Sequence, residues 1–409
     1  MSGGEPPFPV PSEPNGGPPL AMRPARSEDI PRLADLWDEC FPGERSPEDR
    51  ARDLEEGRPY GGIETAWVGE LEGRVAGAFR AYAFRMHLFG AVLPVMGLAA
   101  VTVNPAFRRR GVGDGLIREA LRVGRERGDA LALLYPMRAA LYERLGFSLV
   151  GELHRYRFPP SHLPLFPRRD EVRRVGRDGL PELQAFHQRV ASGRPGHLER
   201  SDAMWDTLVR PPRRVYGLGE PLEGYVVVEP LEVEGAESGG NVLGVRELMA
   251  ENPEAYRGLL GWISAQRDPW GEVVYDALPG EAFHRVLTEA RPAGARPVRN
   301  LWFPTAEILR GPMARILDPA AALGSQVGLG AGSVLPMADP IFPENAGVWS
   351  RSEEGISRRG QEESGGGSGL PVGLVTELFL GGSLPGQDDR LRGWEPTLGV
   401  SDFHLPHEF

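Results

Sequence analysis

One short run is spaced for anion chemistry: Arg108-Arg109-Arg110-Gly111-Val112-Gly113. Glycines let a backbone approach a ligand closely, and the first turn of a following helix presents unpaired N–H groups and the positive end of its dipole. A pyrophosphate fits such a turn. The glycine pattern alone is weak, because ordinary tight turns use glycine in the same way. The run lacks the spacing and the Lys-Ser/Thr ending of a P-loop, and it follows antiparallel strands instead of opening a Rossmann unit, so both nucleotide alternatives lose ground. Other candidates are thinner. Cys40 is the sole cysteine, which excludes an intramolecular disulfide or a thiolate metal cluster, and it is expected to be buried, not nucleophilic. His404 and His407 stand three apart without a carboxylate or cysteine partner at ligand spacing, so they read as surface or pocket polar residues, and no metal is expected.

The elements around the run must place it. Ser27 is expected to cap a helix whose apolar residues Ile30, Leu33, Leu36, Trp37 and Phe41 recur at helical spacing. Alternation predicts strands over 66–69, 75–84 and 92–96, then a separate small-residue strand over 97–103 stopped by Asn104-Pro105. A helix follows the glycines, with Val112, Leu116, Ile117, Ala120 and Leu121 on one face. A buried parallel strand over 131–135, a short helix over 138–145 and a strand over 147–150 complete a mixed α/β unit. After the Pro-rich stretch 158–168 the strand-helix order partly restarts, with helices over 180–190, 204–209 and 253–266 and strands over 224–229 and 242–248. Asn252 and Pro253 mark the start of the last of these helices.

Composition sets outer bounds. A chain of 409 residues, 41% hydrophobic and 25% charged, is expected to form several globular domains. A net charge of -11 argues against nucleic acid and suits a cationic partner. All 46 basic residues are arginine. With no secretory start and no apolar run near the roughly 20 residues that cross a bilayer, the chain reads as soluble and cytoplasmic, with no membrane partner.

The segment Val101-Thr102-Val103-Asn104-Pro105-Ala106-Phe107-Arg108-Arg109-Arg110-Gly111-Val112-Gly113 resembles motif A of the GNAT N-acetyltransferases, and Tyr142-Glu143-Arg144-Leu145-Gly146-Phe147 resembles their Tyr-x-x-x-Gly-Phe segment. That resemblance implies acetyl-coenzyme A as co-substrate, without a metal. Main-chain groups of Val101 to Val103 would pair with the pantetheine arm, and the amides from Arg108 through Arg109, Arg110, Gly111 and Val112 to Gly113 would hold the pyrophosphate. Tyr142 would face the sulfur, where a phenol of pKa about 10 is a suitable proton donor to a departing thiolate.

The layout is similar to that of the Eis (enhanced intracellular survival) family: two tandem GNAT-fold domains of mixed α/β sheets and a C-terminal domain like sterol carrier proteins. The expected division is a disordered tail over 1–21, a catalytic domain over 22–157, a second GNAT-like domain without a cofactor motif over 158–297, and the carrier-like domain over 298–409. In that family a C-terminal Phe carboxylate reaches the active site; Phe409 is its match, and Glu408 would add charge to an acceptor pocket that also includes Ala100. The resemblance further implies a homo-oligomer, a hexamer of paired trimers, and a small cationic amine such as an aminoglycoside or polyamine as acceptor. Two alternatives stay open: a non-catalytic acyl-coenzyme A or lipid sensor, and a protein-lysine acetyltransferase.

Overall fold

The computed structural model describes residues 20–43, 45–231, 241–292, 296, 302–325, 334–352, 355–359, 369–380 and 403–405. The expected disordered tail lies outside these residues except at its last two positions. So do Glu408 and Phe409.

In chain order the elements open with β1 (Ala21–Pro24), α1 (Ile30–Cys40), α2 (Pro47–Glu56), β2 (Ala66–Leu71), β3 (Arg74–Leu88), β4 (Ala91–Val103), α3 (Val112–Arg127), β5 (Leu131–Leu134), α4 (Ala139–Glu143) and β6 (Ser148–Leu149). A second run follows: β7 (Glu152–Phe158), β8 (Arg173–Val175), α5 (Leu180–Ala191), α6 (Asp202–Val209), β9 (Arg214–Leu218), β10 (Gly224–Leu231), β11 (Val242–Ala250), α7 (Pro253–Ser264) and β12 (Glu272–Ala277). The last are β13 (Glu307–Arg310), β14 (Met313–Ile316), α8 (Pro319–Gly324), β15 (Val334–Ala338), β16 (Gly347–Ser352), β17 (Gly355–Arg359), β18 (Leu370–Pro371) and α9 (Val372–Phe379).

Two units emerge. The first holds residues up to Gly57, Gly61–Ala81 and Ala100–Ala120. In it β1, β2 and the first half of β3 form an antiparallel ladder. The buried faces of α1 (Ile30, Leu33, Leu36, Trp37) and of the ladder (Ala66, Val68, Ala78) share one core. Gly77 permits close packing here, since a Cβ on it would lie 2.5 Å from the Thr102 carbonyl oxygen and 2.7 Å from Leu116.

The second unit holds Arg58–Tyr60, Tyr82–Ala99 and everything from Leu121. Within it β4 pairs with β5 in parallel, and β14 lies antiparallel between β5 and β6. A seven-stranded sheet of order β13-β7-β12-β11-β10-β9-β8 follows, and then a four-stranded sheet of order β17-β16-β15-β18. Asn252 caps α7 as its residue type suggests, accepting from Ala255 N–H at 2.8 Å.

Three local expectations change. Ser27 does not cap α1; it begins a short 3-10 turn, and Asp29 instead accepts the Arg26 amide at 2.7 Å and a bidentate contact from Arg23. The strands expected over 92–96 and 97–103 are one strand, β4, interrupted only by the conformation of Ala100. Helix α2 was not anticipated: its sequence is almost wholly polar and buries only Leu54.

Candidate active site

The glycine run begins from a bent strand. Ala100 in β4 has a φ of +51°, a left-handed conformation that is unfavourable for a residue with a Cβ. The bend is held from outside the sheet: buried Trp37 of α1 donates its indole N–H to the Ala100 carbonyl oxygen at 3.0 Å. The parallel pairing of β4 with β5 covers only Val95, Met96 and Gly97 and stops before this bend. Val101 and Val103 are half-buried and Thr102 is buried. Half-buried Cys40 approaches the Val103 carbonyl, its sulfur 3.8 Å away.

Asn104 closes the strand. Its amide donates to the Val75 carbonyl at 3.0 Å and its side-chain oxygen accepts from Ala106 N–H at 3.1 Å, which fixes the turn over Pro105–Phe107. Phe107 is buried beneath the guanidinium groups of Arg74 and Arg110, each 5.3 Å from its ring centroid. Arg110 also pairs with Glu72. Its side chain is thereby committed to the turn, while Arg108 and Arg109 are exposed.

Arg109 and Gly111 both take positive φ, +60° and +77°, and α3 starts at once, with Gly115 N–H bonding the Gly111 carbonyl at 3.1 Å. Among the described residues, a Cβ on Gly111 would meet nothing within 4 Å, and one on Gly113 would meet only Val103 at 3.6 Å. No described residue thus occupies the space beside Gly111, and the leading N–H groups of α3 have no intrahelical partner. Backbone donors, a helix dipole and room above them suit a diphosphate.

Tyr142 lies in the second unit. It is buried on α4, its ring meets Phe147 edge-on at 5.9 Å, and its carbonyl accepts from Leu145 and Phe147. Gly146, at φ +83°, turns the chain for this. Among the described residues no group hydrogen-bonds the Tyr142 hydroxyl, and burial raises its pKa, so the phenol stays protonated at neutral pH.

Other contacts were not read from the sequence. Tyr135, just beyond β5, donates its hydroxyl to the Leu405 carbonyl oxygen at 3.1 Å. Phe403 and Leu405 are buried in the same core as β5 and β14. His404 is half-buried, its ring 5.9 Å from His197, which in turn lies 5.9 Å from His187. No local sequence signal joins positions so far apart.

At the start of α7 in the second sheet region the corresponding helix end is occupied differently. Asn252 caps it and also donates to Glu223, which forms a two-pronged contact with Arg168, while Glu254 sits in the first turn.

Two family models, each described as an acetyltransferase (GNAT) domain, match residues 21–150 and 196–316. The chain belongs to the GNAT acetyltransferases: it is an acyltransferase carrying two GNAT domains, for which acetyl-coenzyme A is the co-substrate. Its fold is shared with Eis1 from Mycobacterium abscessus, at a TM-score of 0.74 and 20% identity over 95% of this chain and 100% of that one. A GCN5-related N-acetyltransferase from Kribbella flavida superposes at 0.75, with 21% identity over 96% of this chain and 98% of that one. An uncharacterized N-acetyltransferase of Streptomyces coelicolor is 29% identical over 342 residues, 77% of this chain and 78% of that one. No described helix is long and apolar enough to cross a membrane.

Proposed function

We propose that the chain transfers acetyl from acetyl-coenzyme A directly to the primary amine of a small cationic acceptor, aminoglycoside or polyamine in type, by an Eis-like mechanism. The observation that carries the reading is the bent strand at Ala100 leading into an open glycine turn. In this reading Val101, Thr102 and Val103 guide the pantetheine arm, and the amides from Arg108 to Gly113 receive the diphosphate. An ammonium acceptor must lose a proton before attack. The Phe409 carboxylate takes it, through water, and Glu408 holds the cation. The amine lone pair then attacks the acetyl carbonyl carbon, the carbon–sulfur bond breaks as Tyr142 gives its phenolic proton to the departing sulfur, and the acetylated nitrogen loses its remaining excess proton, through water, to the Tyr142 phenolate, which restores the phenol. Rate enhancement comes mainly from positioning. Ala100 borders the acceptor pocket.

The second GNAT domain is assigned a supporting role, walling the acceptor pocket. The carboxylates of Glu223 and Glu254 at the start of α7 favour this, because they repel a diphosphate. The C-terminal sheet is assigned as the sterol-carrier-like domain, and the assembly as a cytoplasmic hexamer.

The test is coenzyme A release with aminoglycosides, polyamines and lysine peptides, using the full chain, Tyr142→Phe and a chain lacking residues 406–409. Acceptor-dependent turnover should fall about 10²-fold in Tyr142→Phe, with the KM for acetyl-coenzyme A little changed. Turnover only with lysine peptides would replace the acceptor class, and undiminished turnover in the truncated chain would remove Phe409 from the mechanism.

A further inference from the structure

Helix α1 meets the strand that leads into the glycine turn at two carbonyls. Trp37, 3% exposed, donates its indole N–H to the Ala100 carbonyl oxygen at 3.0 Å, and Cys40, one turn further along α1, places its sulfur 3.8 Å from the Val103 carbonyl oxygen. The helix is itself fixed in place. Its inner face shares a core with Ala66 and Val68 of β2 and Ala78 of β3, against which Ala100 also packs. Its start is tied to the sheet by Arg23, whose guanidinium contacts the Asp29 carboxylate at 2.7 and 2.9 Å and Glu70 at 2.7 and 2.9 Å. A trans peptide is planar, with its C=O and N–H pointing opposite ways. A carbonyl of Ala100 turned toward Trp37 therefore turns the Val101 N–H to the side away from it. Ala100 holds this orientation at φ +51°, a conformation that a Cβ disfavours about five- to thirty-fold. One hydrogen bond supplies a preference of about the same size in the opposite sense.

We propose that Trp37 is a positioning residue for acetyl-coenzyme A: its indole N–H holds the peptide between Ala100 and Val101 in the orientation that presents the Val101 amide to the pantetheine arm. This rests on the reading of Val101 to Val103 as the guide for that arm. Because the bond and the backbone preference nearly balance, the strand keeps its binding-competent form only while Trp37 contributes. Without the N–H the competent fraction falls, and the apparent affinity falls by the same factor. Glycine carries no penalty at positive φ, so Ala100→Gly removes the need for Trp37. The diphosphate end of the cofactor, received by the amides of the glycine turn, does not depend on the bond.

The experiment titrates acetyl-coenzyme A, and the 3′-phosphorylated ADP that keeps its diphosphate but lacks the arm, into the full chain, Trp37→Phe, and Trp37→Phe combined with Ala100→Gly. Expected in Trp37→Phe is a Kd for acetyl-coenzyme A raised about five- to thirty-fold, with the Kd of the armless nucleotide unchanged. The combined variant should bind acetyl-coenzyme A within about two-fold of the full chain. Should Trp37→Phe fold poorly, benzothienylalanine at position 37, which keeps the fused ring and puts sulfur in place of the N–H, removes the bond alone. In the full chain, acetyl-coenzyme A should slow hydrogen exchange over residues 98–104 and the armless nucleotide should not. Full acetyl-coenzyme A affinity in a folded chain without the N–H overturns the proposal. So does a loss that Ala100→Gly fails to restore, since Trp37 would then act through the fold at large. Protection of residues 98–104 that does not depend on the arm sinks the reading of Val101 to Val103 instead, and with it the purpose assigned to Trp37.

Discussion

Gly111 and Gly113 are the same residue type with different duties. Gly111 is needed for its positive φ, because an alanine there meets no described neighbour within 4 Å yet takes an unfavourable backbone. Gly111→Ala should therefore cost about 1–2 kcal/mol of stability. Gly113 lies in α3 without positive φ, and an alanine methyl would make only an ordinary contact with Val103. Gly113→Ala should raise the melting temperature slightly, since glycine inside a helix is roughly 0.5–1 kcal/mol worse than alanine. It should nevertheless raise the KM for acetyl-coenzyme A, because the methyl projects into the space the cofactor needs. Thermal melts and acetyl-coenzyme A titrations of both variants check the contrast; equal melting losses would mean that both glycines serve the fold alone. The motif was legible in sequence because its requirements are local. The support of its bend was not, since Trp37 and Ala100 are 63 residues apart and nothing in either neighbourhood announces the pairing.

At the scale of elements, long periodic stretches were readable and irregular ones were not. Helices α1, α3 and α7 show a clear apolar face, whereas α2 is polar and held by its ends, with Ser46 accepting from Asp49 N–H and Gly57 closing it at φ +72°. Strand β4 read as two strands because small residues and a left-handed alanine break its alternation. The docked tail was invisible for a different reason: residues 403–405 form no helix or strand and are held by side chains and backbone from distant segments. Their docking should depend on pH. Burial lowers the His404 pKa to about 4; Glu247 and Asp276 oppose this, and Arg194 adds to it. The neighbouring His197 is held well below its usual value by burial and by His404, His187 and Arg200, against Glu247. A released tail has His404 near its ordinary value of about 6.5. Docking is thus fully supported above about pH 6.5 and loses its advantage as pH falls toward 4, the range in which the released form takes up a proton and the docked form does not. Hydrogen exchange of the 399–405 peptide between pH 4 and 7, after correction for intrinsic exchange, should show protection declining across that window. In His404→Gln the decline should be smaller, and an equal decline would assign it to other groups.

The division of the whole chain was the least legible feature, because sheet membership does not follow sequence order. A boundary near residue 298 is natural from composition, yet β13 joins the edge of the second sheet beside β7, and β14 enters between β5 and β6. All four residues of β14 are buried. Arg315, on that strand, is fully buried, and its Nη2 donates to both Asp339 carboxylate oxygens at 2.7 and 2.9 Å, while Asp339 also accepts the amides of Ile341 and Phe342 at 3.0 Å. One short strand therefore enters the sheet of the first GNAT domain, between β5 and β6, and anchors the region after it. A fragment ending near residue 157 contains every cofactor-motif residue together with Tyr142 but leaves an edge of β5 unpaired and apolar core exposed. It should aggregate or fail to bind acetyl-coenzyme A, whereas the full chain binds. Arg315→Leu in the full chain, which leaves the Asp339 carboxylate buried without its partner, should lower stability by about 3–5 kcal/mol. Denaturant unfolding of that variant and acetyl-coenzyme A binding by the fragment measure the two consequences separately. A fragment that unfolds cooperatively and binds the cofactor would mean that β14 merely decorates a self-sufficient GNAT domain; a destabilised Arg315→Leu chain beside an inactive fragment would make the catalytic fold depend on residues more than 150 positions downstream of it.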